Sequence, residues 1–272
     1  LIMELSVAGR PAFIATGGRP FDPKKPALVM VHGAGMDHTV WSMQARFFAY
    51  HGFSVMNLDL PGHGRSEGPA PTTIPDYTDW LVSAIDLAGA QDVHLIGHSM
   101  GSMISLNLAA RPGSPIRKLV LLGTLPHIRV APALLSAAEN NAHSAYESIV
   151  GWGIGRRAQI GGHRAAGSWI TGISMRLLES GQPGVLGNDL GACDRWADGL
   201  EAARNVSCPT LLLLGADDRM TPAHGAAPLL EAIADCQTTV LAGAGHMMMA
   251  EQPEETLDAI ASFFSEDTGE DS

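Results

Sequence analysis

Ser99 lies in the run Gly97-His98-Ser99-Met100-Gly101, with a glycine two residues to either side. A serine hydroxyl is a poor nucleophile at neutral pH. It attacks an acyl carbon only when a base takes its proton and a carboxylate orients that base. Both partners are available downstream, as the adjacent Asp217 and Asp218 and as His246. The chemistry that these types support is acyl transfer to water through a covalent acyl-serine. The tetrahedral intermediate carries negative charge on the former carbonyl oxygen, so two preorganised N–H donors are needed as well. One is expected from the backbone of Met100, immediately after the serine.

The elements around these residues must bring them together. Asp92-Val93-His94-Leu95-Ile96 reads as a strand entering the serine, and Ser102–Ala110 carries apolar residues at helical spacing after it. A sharp strand-to-helix turn pushes the serine hydroxyl out over a sheet, and the two glycines avoid β-carbons where the backbone is tight. The helix start adds N–H groups that favour developing negative charge. Further strands are predicted at Met3–Val7, Ala12–Ala15, Ala27–Val31, Phe53–Leu58, Lys118–Leu122, Val206–Leu214 and Thr239–Leu241. Helices are predicted at Val40–Tyr50, Tyr77–Leu87, Pro222–Ile233 and Pro253–Phe264. Strands separated by helices imply a mostly parallel sheet with helices on both faces, which binds ligands beyond the strand carboxyl ends. The aspartate pair follows one predicted strand and His246 follows the next, so both fall on the edge where Ser99 emerges. Spacing alone leaves Asp217 and Asp218 both open.

The alternation fails between about Pro126 and Gly187. Helical pieces at Pro132–Asn141, Ala142–Gly151 and Trp169–Ser180 are separated by glycine-rich joints such as Gly151-Trp152-Gly153-Ile154-Gly155. Such a stretch is too long for an ordinary connection and is predicted to be a helical cap, inserted after the sixth strand. The expected organisation is a core of residues 1–125 and 188–265, a cap of 126–187 and a disordered acidic tail of 266–272.

Composition narrows the partners. With 17 basic and 28 acidic residues the formal charge is −11, which argues against a nucleic-acid surface. Cys193, Cys208 and Cys236 are odd in number, far apart and without metal spacing, so they read as reduced thiols of a cytoplasmic protein. The eleven histidines show no compact metal-ligand pattern, and no metal or other cofactor is expected. No secretory segment or membrane-spanning apolar run is evident, so no membrane partner is expected. A homo-oligomer is left open.

The chain resembles the α/β-hydrolase-fold serine hydrolases over nearly its whole length. The resemblance is carried by His32-Gly33-Ala34-Gly35, Asp59-Leu60-Pro61-Gly62-His63-Gly64-Arg65-Ser66, Gly97–Gly101, Gly215-Ala216-Asp217-Asp218-Arg219-Met220-Thr221-Pro222 and Gly243-Ala244-Gly245-His246. It implies the α/β-hydrolase fold with an inserted helical cap. It also implies Asp218 as the triad acid, Asp217 as a turn residue, and the Ala34 N–H as the second oxyanion donor. His32, His98, Asp59 and His63 then read as structural. Gly33, Gly35, Leu125, Trp152, Met220 and Met247 are the expected substrate contacts.

The resulting expectation is a carboxylesterase-like enzyme with Ser99, Asp218 and His246 as its triad, acting on a small, largely apolar ester or lactone. Three alternatives share the fold. A proline-iminopeptidase-like enzyme would need cap acids such as Glu139, Glu147 or Glu179 at the pocket to hold a substrate ammonium. A meta-cleavage-type C–C hydrolase would use the same triad. A ligand receptor would bind with slow or absent turnover.

Overall fold

The computed structural model describes residues 1–162 and 167–265; the expected acidic tail lies outside them. Eight strands form one sheet: β1 (Ile2–Val7), β2 (Arg10–Ala15), β3 (Ala27–Val31), β4 (Ser54–Leu58), β5 (Val93–His98), β6 (Ile116–Leu122), β7 (Thr210–Gly215) and β8 (Cys236–Leu241). Their order across the sheet is β1-β2-β4-β3-β5-β6-β7-β8. β1 pairs β2, and β2 pairs β4, antiparallel; every other pairing is parallel. β3 and β7, each a near-continuous apolar run, are buried along their whole length. That is the pattern of strands covered on both faces. The edge strand β8 is instead largely exposed: Gln237, Thr238 and Val240 face solvent and only Leu241 is buried.

The helices are α1 (Ser42–Tyr50), α2 (Ile74–Ala88), α3 (Met100–Ala109), α4 (Pro132–Glu139), α5 (His143–Gly153), α6 (Arg156–Gln159), α7 (Ile170–Glu179), α8 (Val185–Arg195), α9 (Gly199–Arg204), α10 (Ala227–Ala232), α11 (Met248–Glu251) and α12 (Pro253–Ser265). α1 and α12 cover one face of the sheet, while α2, α3, α9 and α10 cover the other. α4, α5, α7 and α8 pack successively on one another between β6 and β7.

Local chemistry explains several boundaries. α2 starts three residues earlier than its apolar periodicity suggests, because Thr73 accepts the Asp76 N–H and Pro75 sits in the first turn. Gly89, in the left-handed region at φ 70°, ends it. A 3-10 turn at His38–Trp41 precedes α1 where the sequence suggests one continuous helix. The expected glycine-rich joint at 151–155 is largely helical, since α5 runs through Gly153. The expected cap boundary at 187/188 falls inside α8, whose glycines make it a poor helix former on propensity. Gly187 is there because α4 crosses closely: a β-carbon would lie 2.8 Å from Glu139 Cα. No helix among the described residues is long and apolar enough to cross a membrane.

Candidate active site

β5 ends at His98 and α3 begins at Met100, leaving Ser99 alone to make the turn. Its backbone sits at φ 54° and ψ −119°, a region that side-chain-bearing residues rarely occupy. The surroundings hold it there. Ser99 N–H donates to Leu122 O at 2.9 Å, and Ser99 O accepts from Ser102 N–H at 2.8 Å and Ser102 Oγ–H at 2.6 Å. A β-carbon on Gly97 would collide with Gly101 O, and one on Gly101 with Val31 O. The turn is possible only with both glycines.

His246 follows β8, and Asp218 follows β7. His246 Nδ1 hydrogen-bonds Asp218 Oδ2 at 2.7 Å, with both side chains buried. Asp218 also accepts from Thr221 Oγ–H at 2.6 Å and from the N–H groups of Met220 and Thr221 at 2.8 and 2.9 Å. Burial alone would raise this carboxyl; the imidazole beside it and these donors outweigh burial and hold it at about 2. An ionised Asp218 only accepts, so the proton on this ring nitrogen belongs to His246 Nδ1. In the neutral imidazole Nε2 then carries the lone pair, and it is buried with no hydrogen-bond partner. Asp217 is exposed, and its N–H donates to Ala244 O at 2.8 Å. Only Asp218 of the pair reaches the histidine.

Ser99 and His246 each lie against the end of β6. Leu122 O accepts the Ser99 N–H, and a β-carbon on the next residue, Gly123, would lie 2.9 Å from both Cε1 and Nδ1 of His246. Gly123 has φ 56° and leaves the ring its space. His98, expected to play no chemical part, donates from Nε2 to His246 O at 2.9 Å. Burial, then the neighbouring His246, lowers His98 to about 3, so it stays neutral and serves as a brace.

The loop after β3 approaches from the other side. A β-carbon on Gly33 would lie 3.2 Å from Ser99 Cβ, which brings the backbone entering Ala34 against the serine. His32 fixes this loop through Nδ1–H to Gly33 O at 2.8 Å, while its Nε2 accepts the Leu60 N–H at 3.1 Å. Burial, followed by His63, lowers His32 to about 4, which keeps Nε2 free to accept.

Two buried carboxylates around the site were not anticipated from the sequence. Asp189 of α8 accepts from Gly35 N–H at 2.9 Å, His63 Nε2 at 2.7 Å and Tyr77 O–H at 2.6 Å. Burial works against its charge, but the His63 imidazole beside it and these hydrogen bonds hold Asp189 below the usual carboxylate range. Glu251 of α11 accepts from Gly155, Gly245 and Met247 N–H at 2.9, 3.0 and 3.1 Å. It thereby fixes both neighbours of His246 and ties them to the end of α5, whose Gly153 O accepts the His246 N–H. Burial raises the Glu251 carboxyl, and the three N–H donors counter this. Glu251 directly follows the apolar run Met247–Ala250, which was the available signal, while Asp189 sits in the mixed run Leu186-Gly187-Asn188-Asp189-Leu190 and gave none.

A small apolar cavity of about 20 Å³ opens at His246, lined in part by Met36, Ile149, Ile154, Leu178, Met220 and Met247. Met220 and Met247, two of the expected contacts, line this cavity. Gly33 lies beside Ser99, and Gly35 lines a neighbouring cavity with His63 and Leu186. Trp152 and Leu125 do not line the His246 cavity. Trp152 is 42% exposed on the last turn of α5, and Leu125 packs where a β-carbon on Gly225 would touch it at 2.7 Å. The cap acids also lie elsewhere. Glu139 is exposed, while Glu147 and Glu179 pair with His143 at 3.4 and 3.0 Å. Among the described residues, Asp37, His38 and Asp59 bring possible metal-ligating atoms within 4.8 Å of one another. Both Asp59 oxygens are already engaged, Oδ1 by the N–H and Nδ1 of His38 and Oδ2 by the Arg65 N–H, so the group braces the loop.

Comparison with known proteins agrees with this architecture. The chain is 29% identical over 240 residues to (E)-2-((N-methylformamido)methylene)succinate hydrolase of Acinetobacter baylyi, covering 86% of this chain and 88% of the relative. It is 24% identical over 250 residues to pimeloyl-[acyl-carrier protein] methyl ester esterase of Nitrosospira multiformis, covering 88% of this chain and 94% of that protein. The crystal structure of an enol-lactonase from Burkholderia xenovorans superposes with a TM-score of 0.87 at 21% identity, over 97% of this chain and all of the other. Residues 28–259 match the Alpha/beta hydrolase family, and the chain belongs to it.

Proposed function

We propose that this protein is a serine hydrolase that cleaves an uncharged, largely apolar carboxylic ester or lactone through an acyl-enzyme. The observation that carries this reading is the state of His246: Nδ1 is committed to the ionised Asp218, while Nε2 is buried and unpartnered next to the Ser99 turn. A neutral imidazole in that tautomer is a general base waiting for a proton. Ser99 Oγ attacks the carbonyl carbon and its proton passes to Nε2. The Ala34 and Met100 N–H groups receive the charge on the carbonyl oxygen. The imidazolium, steadied by Asp218, returns the proton to the leaving oxygen. Water then enters, loses a proton to Nε2, and releases the acid from Ser99.

The cavity supports an uncharged substrate. Among the described residues its lining carries no Lys, Arg, Asp or Glu. A succinate of the kind named for the Acinetobacter relative would need a cation there, and an N-terminal ammonium would need an acid. Both the dicarboxylate and the aminopeptidase readings are disfavoured on this ground. The test is turnover of a p-nitrophenyl ester panel by the wild-type protein and by Ser99→Ala. Multiple turnovers abolished in the variant support the reading. Binding without turnover, equal in the two proteins, would make the protein a receptor.

A further inference from the structure

The acyl-transfer steps above give no task to the hydroxyl of Thr221. This residue stands in the loop after β7 and is buried. Pro222 after it disfavours helical backbone, and its branched β-carbon leaves the side chain few rotamers. Thr221 grips both oxygens of Asp218. Its N–H donates to Oδ1 at 2.9 Å and its Oγ–H to Oδ2 at 2.6 Å. Oδ2 is also the oxygen that meets His246 Nδ1 at 2.7 Å, and Thr221 Oγ itself lies 3.2 Å from that nitrogen. The end of β6 closes in on the same group: a β-carbon on Gly123 would lie 3.4 Å from Thr221 Oγ and 2.9 Å from the His246 ring.

A hydroxyl has one proton to give. Beside an ionised carboxylate at 2.6 Å that proton goes to Oδ2, because a charge-assisted bond is the stronger one. Oγ therefore turns lone pairs toward Nδ1. Two consequences follow. A proton on Nδ1 faces two acceptors, Oδ2 and Oγ, whereas the opposite tautomer would set the Nδ1 lone pair against theirs. The hydroxyl also takes up part of the Oδ2 charge that would otherwise serve the imidazolium.

We infer that Thr221 is a positioning residue of the triad, whose hydroxyl fixes the His246 tautomer through Asp218 Oδ2 and sets the pH at which His246 takes up a proton. Its effect on turnover rests on the hydrolase reading above. The other ionisable groups near the pair are accounted for. His98 of β5, with its ring centroid 4.6 Å from that of His246, stays neutral. Arg219 turns its guanidinium to Gly151 O, and Asp217 is exposed. Glu251 of α11 is turned to the N–H groups of Gly155, Gly245 and Met247 and does not touch Thr221, so its influence is common to every variant below.

The test compares Thr221→Val, which keeps the shape without the hydroxyl, with Thr221→Ser, which keeps the hydroxyl. Thr221→Ala, smaller and also without a hydroxyl, carries the same prediction as the valine variant should that one not fold. Two readouts are taken. One is NMR titration of the His246 ring protons, assigned by their loss in His246→Gln. The other is the acid limb of kcat/KM for p-nitrophenyl acetate. Without the hydroxyl both midpoints should move upward by about half a unit to one unit. With serine they should stay at the wild-type position. A midpoint that is unmoved or lowered in the variants without a hydroxyl overturns the inference, and so does an equal displacement in the serine variant. An NMR midpoint that moves as expected, with no Ser99-dependent turnover in any of the proteins, supports the hold of Thr221 on His246 and overturns the hydrolase reading instead.

Discussion

Asp189 accepts the Gly35 N–H at 2.9 Å on the same oxygen, Oδ2, that meets His63 Nε2 at 2.7 Å. A side chain from α8, well outside the strands that carry the triad candidates, therefore fixes the loop that faces Ser99. Gly35 follows Ala34, so the orientation of the Ala34 N–H depends on it. Replacing Asp189 with Asn keeps an acceptor but removes the charge. In the proposed mechanism kcat should fall about 10- to 100-fold, as expected for a donor displaced by a fraction of an ångström. KM should change little, because no part of Asp189 touches the substrate. Steady-state kinetics on one ester separates the two parameters. A rise in KM with kcat unchanged would show that Asp189 shapes the pocket rather than the loop.

The same ion pair makes stability depend on pH. Burial works against a charged His63, but Asp189 prevails and raises it above the ordinary imidazole value of about 6.5. The native state therefore holds its proton more tightly than the unfolded chain. Stability from His63 is fully present below about 6.5 and is lost as pH rises through the higher native value. Removing one partner of a buried pair costs about 3–5 kcal/mol, because it strands the other charge. His63→Gln should be strongly destabilised at pH 5.5 and less so as the pH is raised through neutral. Urea midpoints across that range measure this. A destabilisation that grows with pH would contradict the assigned sign.

The two adjacent aspartates should behave differently. Asp218→Asn leaves the imidazolium without its countercharge and favours the wrong tautomer, so turnover should fall by about 10³- to 10⁴-fold. Asp217 is exposed and contacts the protein through its backbone N–H, so Asp217→Asn should keep most of the activity. Measuring both variants with circular dichroism controls tests the choice. The reverse ranking, with both folded, would move the acid to Asp217.

Gly123 gives a sharper geometric test. A β-carbon there would press on His246 at 2.9 Å, and the residue already sits at φ 56°. Gly123→Ala should displace the imidazole from Gly123 and cost about 100-fold in kcat. Unchanged kcat in a folded variant would mean that the ring does not need this position.

Much of this arrangement is legible in the sequence, for identifiable reasons. β3 and β7 announce themselves because strands buried on both faces are near-continuous apolar runs. Gly97 and Gly101 mark the serine turn because only glycine fits two backbone crossings. α8 is hidden because Gly187 and Gly191 lower its helix propensity, whereas Gly187 is where the α4 backbone comes close. Gly153, in the expected joint, instead lies within α5 against the side chains of Met220 and His246. Asp189 and Glu251 are hidden for another reason. Asp189 bonds Gly35 N–H, His63 and Tyr77, and Glu251 bonds Gly155 N–H, all distant in sequence, and a local pattern of side-chain types does not record such contacts. Trp152 illustrates the opposite error: an aromatic residue in an apolar segment looks like a pocket wall, yet it stays 42% exposed.

The central claim is that Ser99 is the nucleophile, activated by His246. Its most direct measurement is reaction of the wild-type protein with a fluorophosphonate, followed by intact mass and peptide mapping. The account predicts one adduct per chain on Ser99, abolished in Ser99→Ala and greatly slowed in His246→Ala. An adduct mapped to another residue, or labelling of Ser99 at an undiminished rate without His246, would contradict it.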